Sequence, residues 1–261
     1  MNLKVDTFSS NITKWYIQNG RKNLPWRKVI TPYRIWISEI MLQQTQVKTV
    51  IPFYKKFIKK YPNLKSISLA TEDDILALWT GLGFYRRAKN IYRTKEIIKK
   101  EYKNKFPSKY EELISLPGIG RSTAGAIMSI AYKESYPILD ANVKRVISRY
   151  KKINTDEKGV VKTLWSLSKN LTPEKNIFEY TQGIMDLGAT ICNIRSPNCL
   201  NCPINKTCKS AFKNFEIEYK ARKERPKKKI FFTLAHSKKS FLLFKKNEKS
   251  FWESLWIPYD G

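Results

Sequence analysis

Two carboxylates, a tight glycine turn and four cysteines are the residues of this sequence whose types and spacing could do chemistry. The first carboxylate lies in Trp36-Ile37-Ser38-Glu39-Ile40-Met41-Leu42-Gln43-Gln44-Thr45-Gln46-Val47. On one continuous helix Glu39, Gln43 and Gln46 share a face, next to an apolar face of Ile40, Val47 and Ile51. A carboxylate against apolar neighbours loses solvent, which raises its pKa and suits it to donate a proton. The two amides could hold a planar polar ligand. For an isolated Glu, a solvated helix face is the plainer alternative.

The glycine turn is Leu116-Pro117-Gly118-Ile119-Gly120-Arg121-Ser122-Thr123-Ala124. Gly118 and Gly120 flank one apolar residue ahead of a new helix, so their backbone N–H groups can converge on a phosphate without reading a base. Arg121 adds charge there. An ordinary interhelical turn is the alternative. The second carboxylate, Asp140, lies in Pro137-Ile138-Leu139-Asp140-Ala141-Asn142-Val143-Lys144-Arg145-Val146. It stands just ahead of a helix whose buried face is Val143, Val146, Ile147 and Tyr150, a normal capping position. Its carboxylate could equally face a developing positive charge, with Lys144 and Arg145 near a phosphate backbone.

Cys192, Cys199, Cys202 and Cys208 are all the cysteines of the chain. Four thiols on one short loop read as a metal site before they read as disulfides. They can wrap a cubic [4Fe–4S] cluster. Structural zinc is the other reading, although it usually shows two separated close pairs and only Cys199 and Cys202 form one here. The single His, His236, stands apart from these strings, which disfavours a His-based triad.

Helical elements must position these groups. Phe8, Ile12, Trp15 and Tyr16 mark an amphipathic helix over 7–20, and Asn23 to Arg27 breaks the pattern. Helix is expected over 35–60 with an interruption at Pro52, from the Thr71 cap through Trp79, and over 85–101 and 111–116. It is expected again over 121–132, 142–150, 160–170 and 174–191. Arg222 to Lys229 reads as a mobile charged connector. Ile230 to Ala235 and Ser240 to Phe244 read as two strands around a polar turn. There is no internal repeat of fixed period.

The chain has 261 residues, with 50 Lys and Arg against 22 Asp and Glu, a net charge of +28. Such a charge points to a polyanionic partner, most often nucleic acid, although compositional drift toward Lys explains part of it. Hydrophobic residues are 42%, which excludes a wholly disordered polybasic chain. No apolar run reaches the ~20 residues of a membrane helix. The first residues lack the apolar core of a secretion signal, so a cytoplasmic, nucleoid-associated protein is expected.

The four strings together resemble the endonuclease III, or helix–hairpin–helix, superfamily of DNA glycosylases. The turn resembles its hairpin, Asp140 its catalytic aspartate and the cysteines its iron–sulfur loop. Ser38 to Gln46, Leu78-Trp79-Thr80-Gly81-Leu82-Gly83 and Ile138 to Arg145 are most similar to its adenine-specific, MutY-type group. Where members with lyase activity carry a Schiff-base lysine, this chain has Ser122, which cannot form an imine. The resemblance covers residues 8–212.

The resemblance implies an all-α fold of two helical lobes with a helix–hairpin–helix and an iron–sulfur loop, followed by a short partial β segment. Residues 1–23 with 136–213 would form the cluster lobe, and 24–135 a six-helix lobe with the hairpin. A basic linker, 214–229, and a truncated Nudix-like segment, 230–261, would follow. The implied activity is monofunctional hydrolysis of adenine mispaired with 8-oxoguanine or guanine in double-stranded DNA, within base excision repair. Glu39 would be the proton donor, Asp140 the transition-state stabiliser or nucleophile, and Asn142 a water-orienting group. Gln43, Phe84, Gly118, Gly120, Arg121, Ser122 and Lys144 would contact DNA. Cys192, Cys199, Cys202 and Cys208 would hold one [4Fe–4S] cluster per chain, with Arg195, Lys206 and Lys209 in or beside the loop. A monomer acting away from membranes is expected.

Two departures stand out. The family commonly has two Tyr after Gly-Leu-Gly, where this chain has Phe84-Tyr85; Phe84 keeps a wedge shape but loses the hydroxyl. Of the family's C-terminal β-rich domain, which reads 8-oxoguanine, only the opening is recognisable. If 261 residues is the whole protein, adenine excision should survive better than discrimination between mispairs. The rival expectations are a bifunctional glycosylase/lyase, a non-catalytic cluster-containing DNA-binding relic and, more weakly, a zinc-binding RNA protein.

Overall fold

A computed structural model describes residues 3–213, 229–246 and 255–259. It divides into two compact units, Met1–Ile217 and Glu218–Gly261. The first is helical: α1 (Leu3–Asn19), α2 (Pro25–Lys28), α3 (Pro32–Leu42), α4 (Val47–Lys60), α5 (Leu64–Ile67) and α6 (Glu72–Trp79) come first. Then follow α7 (Arg86–Glu101), α8 (Tyr110–Ser115), α9 (Arg121–Ile127), α10 (Ala141–Lys151), α11 (Val160–Leu171) and α12 (Ile177–Thr190).

Local chemistry starts and stops these helices. Thr31 caps α3 by accepting from the Arg34 N–H at 3.2 Å, and Pro32 takes the first helical position, where no N–H is needed. Thr71 and Asp74 form a reciprocal capping box that opens α6, as the acidic run after Thr71 predicts. The helix expected over 35–60 with an interruption at Pro52 breaks earlier instead. Gln43 leaves helical geometry, Gln44 takes a left-handed φ of 57°, and α4 restarts at Val47 with Gln46 as its cap. Pro52 lies inside α4, where it removes one N–H without ending the helix. The helix after the glycine turn also differs, ending in a wider π turn at Met128–Tyr132 closed by left-handed Lys133.

Two groups of helices pack around separate aromatic clusters. α1, α10, α11 and α12 pack together, with Phe8 against Tyr150 and Tyr180. α2, α3, α4, α6, α7, α8 and α9 form the other group, with Trp36 against Phe106 and Phe57 against Trp79. The π turn after α9 lies on both α3 and α12 and so joins the groups.

The second unit is less regular than the two strands expected. Ser237 N–H donates to Ser240 C=O and Leu242 N–H to Ala235 C=O, each at 2.9 Å, around a single His236–Phe241 bridge. Two-residue strands β1 (Phe244–Lys245) and β2 (Trp256–Ile257) pair antiparallel, Phe244 opposite Ile257 and Lys245 opposite Trp256. So little ladder is marginal in water. Phe231, Leu234 and Phe241 remain exposed. The connector expected over 214–229 lies, except for Lys229, outside the described residues.

Candidate active site

α3 is buried on almost every side through Tyr33, Ile35, Trp36, Ile37, Ser38, Ile40 and Met41, which leaves Glu39 half-buried near its last turn. Burial pushes the Glu39 carboxyl up to about 7; the charge of Asp140 pushes the same way and that of Arg27 opposes it. At neutral pH, Glu39 is therefore divided between acid and carboxylate. Gln43 and Gln46 do not share its helical face, because α3 ends at Leu42, before both.

Asp140 caps α10, accepting from the N–H of Val143 at 2.8 Å and from that of Asn142. Burial raises its pKa, while those two N–H groups and the Arg145 charge hold it down. The Val143 N–H is taken by the Oδ1 atom of Asp140. Ser122 Oγ accepts from Leu139 N–H at 3.0 Å, so Ser122 fixes the chain just ahead of Asp140. Asn142 Oδ1 accepts from Arg145 Nη2 at 2.8 Å. Gly188 of α12 lies so close that a Cβ there would meet Asn142 Cβ at 2.7 Å. Lys144 stands half-buried on the first turns of α10.

The glycine turn is held from two sides. Gly118 has φ +81°, and a Cβ on it would meet Asn90 Nδ2 at 2.8 Å, so only glycine fits. Gly120, by contrast, has open space where its Cβ would be. Gln43 Nε2 donates to Gly118 C=O at 3.2 Å, so its amide ties the end of α3 to the turn. Arg121 opens α9 with its guanidinium 4.1 Å from the Trp165 ring centroid. Phe84 is 54% exposed at φ +52°, an unusual conformation for a bulky residue.

Cys192, Cys199, Cys202 and Cys208 are free thiols, all half-buried. Cys202 lies within electrostatic reach of the other three. Arg149 Nη1 donates to Cys192 Sγ at 3.4 Å, and Arg145 Nε to Cys192 C=O at 2.8 Å, so α10 runs from Asp140 to the cysteine loop. Backbone N–H groups of Ile204, Ser210 and Ala211 face the sulfurs of Cys202 and Cys208. N–H donors aimed at soft sulfur ligands fit an iron–sulfur group. Among the described residues, no three His, Cys, Asp or Glu side chains are grouped so as to hold a metal ion.

Sequence reasoning does not single out Arg27, Arg87 or Asp186. Asp186 is fully buried and accepts from Arg21 Nε at 2.8 Å and from Arg27 Nη1 at 2.7 Å. The available signal was a lone carboxylate in the apolar run Ile184-Met185-Asp186-Leu187, which demands a paired charge. For Arg87 the sequence holds no comparable signal, since its partners are backbone carbonyls.

A family model described as "HhH-GPD superfamily base excision DNA repair protein" matches residues 37–170. The chain is 46% identical over 258 residues to a protein named adenine DNA glycosylase from Buchnera aphidicola subsp. Schizaphis graminum (strain Sg), covering 97% of this chain and 74% of that protein. Among solved structures it is similar to a thermostable thymine-DNA glycosylase, with TM-score 0.72 and 30% identity over 80% of this chain and 96% of the other. It also shares the fold of an endonuclease III in a non-covalent DNA complex, with TM-score 0.67 and 20% identity over 81% and 96% of the two chains. With the family match running from α3 into α11 and the curated likeness spanning almost the whole sequence, the chain belongs to the HhH-GPD superfamily of base excision DNA repair proteins, in its adenine DNA glycosylase branch.

Proposed function

We propose that the chain hydrolyses the N-glycosidic bond of adenine mispaired with 8-oxoguanine or guanine in duplex DNA, and that it does so without lyase chemistry. The observation that carries this reading is the pair Glu39 and Asp140, two half-buried carboxylates coupled by charge, one of them poised near neutrality. That is how a site divides the roles of acid and anion between like groups.

The target adenine must leave the stack, because its glycosidic bond is inaccessible inside it. Glu39 gives its proton to adenine N7, and the C1′–N9 bond breaks with its electron pair going to the base. The leaving group is then neutral rather than anionic. Positive charge develops on the sugar, where the Asp140 carboxylate stabilises it directly or through a transient covalent bond. Water adds at C1′ and gives up a proton to the Glu39 carboxylate, which restores the acid. The products are free adenine and an abasic site. Asn142, its carbonyl oriented by Arg145, presents its amide to that water. Ser122 offers no amine for an imine, which supports a reaction that ends at the abasic site.

Phe84 is the wedge, and the Gly118–Gly120 backbone, Arg121 and Lys144 take the phosphates. In this reading Gln43 reaches the DNA side through the glycine turn that its amide holds. The four cysteines would hold one [4Fe–4S] cluster, which fixes the basic loop carrying Arg195, Lys206 and Lys209; base removal needs no redox chemistry. A single chain per duplex, working in the cytoplasm, suffices for this chemistry. No helix among the described residues is long and apolar enough to cross a membrane.

Single-turnover release of adenine from duplexes with A opposite 8-oxoguanine and A opposite G tests the reading, with nicking followed with and without alkali. Release that needs alkali for nicking, and that Glu39→Gln abolishes, is the expected result. A duplex with T opposite G belongs beside them, given the likeness to a thymine-DNA glycosylase. Preferential release of thymine would replace the adenine assignment.

A further inference from the structure

α7 carries Arg87, Asn90 and Thr94 on one face, at i, i+3 and i+7. Thr94 Oγ1 donates to Pro117 C=O at 3.0 Å, and Asn90 lies beneath Gly118, so the helix supports the glycine turn. Arg87 does something different. Its Nη1 donates to the carbonyls of Met41 and Gln43, each at 2.6 Å, and of Ile40 at 3.1 Å. Its Nη2 donates to Gly83 C=O at 3.1 Å. The guanidinium also lies 5.2 Å from the Phe84 ring centroid and 5.4 Å from that of Trp79. Trp79 Nε1 shares the Gly83 carbonyl at 3.0 Å.

This is a costly way to fill space. Arg87 is 6% exposed, and its hydrogen-bond partners are carbonyls rather than carboxylates. Burial lowers its pKa to about 10, and its Nε is buried without a partner. The negative end of the α3 dipole offsets part of the cost. An apolar side chain would pack there without any desolvation. What the guanidinium adds is a rigid planar fork, with one nitrogen on the end of α3 and the other on the loop before Phe84. Glu39 stands one residue before Ile40, and Phe84 one residue after Gly83.

We infer that Arg87 is a positioning residue that couples the Phe84 wedge to Glu39, so that the acid is aligned on adenine only when the wedge is seated in the stack. The fork transmits displacement of the Gly83–Phe84 loop to the last turn of α3. A shift of about 1 Å at a reacting group costs on the order of a hundredfold in rate. An enzyme that must spare undamaged adenine gains from such a link, because seating of the wedge reports that the duplex has opened.

The test is a double-mutant cycle with Phe84→Ala, Arg87→Lys and both changes, reading single-turnover adenine release opposite 8-oxoguanine. Lysine keeps the charge but cannot hold both ends of the fork. Each single change is expected to lower the rate roughly a hundredfold, and the double no further than the slower single. Losses that multiply to about ten-thousandfold overturn the coupling, because they mean that wedge and acid act independently. A second readout does not depend on excision: 2-aminopurine next to the mispair brightens when the wedge unstacks it. Arg87→Lys is expected to lose most of that signal at a temperature where its melting curve still shows a folded protein. An unchanged signal, or a loss no larger than the unfolded fraction, refutes the inference. If the parent unstacks 2-aminopurine but releases no adenine, the activity assignment fails, and the fluorescence arm alone decides the coupling.

Discussion

Asp140 raises the pKa of Glu39, and in the coupled pair Glu39 is the group that keeps the proton. The asymmetry has a local cause. Asp140 accepts two backbone N–H bonds at the start of α10 and has Arg145 nearby, all of which favour its charged form. Glu39 sits beside the end of α3, where the helix dipole is negative, and only Arg27 opposes its burial.

The pH dependence of excision follows from that asymmetry. In the proposed mechanism activity needs Glu39 protonated and Asp140 ionised. Single-turnover rates should fall tenfold per pH unit above about 7 as Glu39 loses its proton. They should also fall on the acid side, as Asp140 gains one at a pKa above its ordinary value. A rate that stays flat from pH 7 to pH 9 would show that Glu39 is not the acid.

The same shift predicts a cost in stability. Glu39 binds its proton more tightly in the folded chain than in the unfolded one, so its contribution to stability is lost as pH rises from about 4.5 to about 7. Glu39→Gln removes the titration while keeping shape and polarity. The variant should therefore melt on the order of a few degrees above the parent at pH 8 and close to it at pH 4. Inactivity combined with higher stability is the signature expected of a strained catalytic group.

Ser122 acts one residue away from Asp140. Its hydroxyl accepts the Leu139 N–H, and Ser122→Ala leaves that donor without a partner, costing about 1 kcal/mol. Because the chain it holds leads directly into the carboxylate, the rate should fall by roughly tenfold, more than the stability loss alone explains. Melting curves and single-turnover rates on the same preparation separate the two effects. A rate unchanged within twofold would mean that the α10 cap alone holds Asp140.

The basic surface should bind DNA with a steep dependence on salt. Lys144 stands on the first turns of α10, near Asp140, so Lys144→Ala should weaken binding to matched and mismatched duplexes alike. It should reduce the slope of log K against log salt by about one. Selective loss on the mismatch would give Lys144 a role in reading the base.

The sequence is legible where chemistry is local. The Thr71 cap, the Asp140 cap and the Gly118 turn follow from side-chain types at fixed offsets, and the structure has all three. The break at Gln43 to Gln46 is not legible, because Arg87, the group that takes carbonyls at the end of α3, lies far along the chain. Pro52 reads as the natural interruption, yet α4 continues through it despite the lost hydrogen bond and the ring's clash with the preceding turn. The strands of the second unit were overestimated for a different reason. The β-branched and aromatic run Ile230-Phe231-Phe232-Thr233 fits a strand, but the described residues that pair there form bridges and two-residue strands.

Asp186 links stability to the acid. The fully buried carboxylate holds Arg21 and Arg27 on α12, and their charges and hydrogen bonds lower its pKa against the opposing effect of burial. Its contribution is present above the ordinary carboxylate range and is lost as pH falls through the depressed folded pKa. Asp186→Asn keeps the shape but leaves two guanidinium groups short of a counter-charge, at a cost of about 3–5 kcal/mol. The consequence for catalysis is a displaced pH profile rather than a uniform loss. Arg27 already draws the Glu39 pKa down, and without Asp186 that charge acts on Glu39 unneutralised. The alkaline limb of the pH–rate profile should therefore move to lower pH in Asp186→Asn, measured well below its melting temperature. A uniformly slower enzyme with an unmoved limb would confine Asp186 to holding the two arginines.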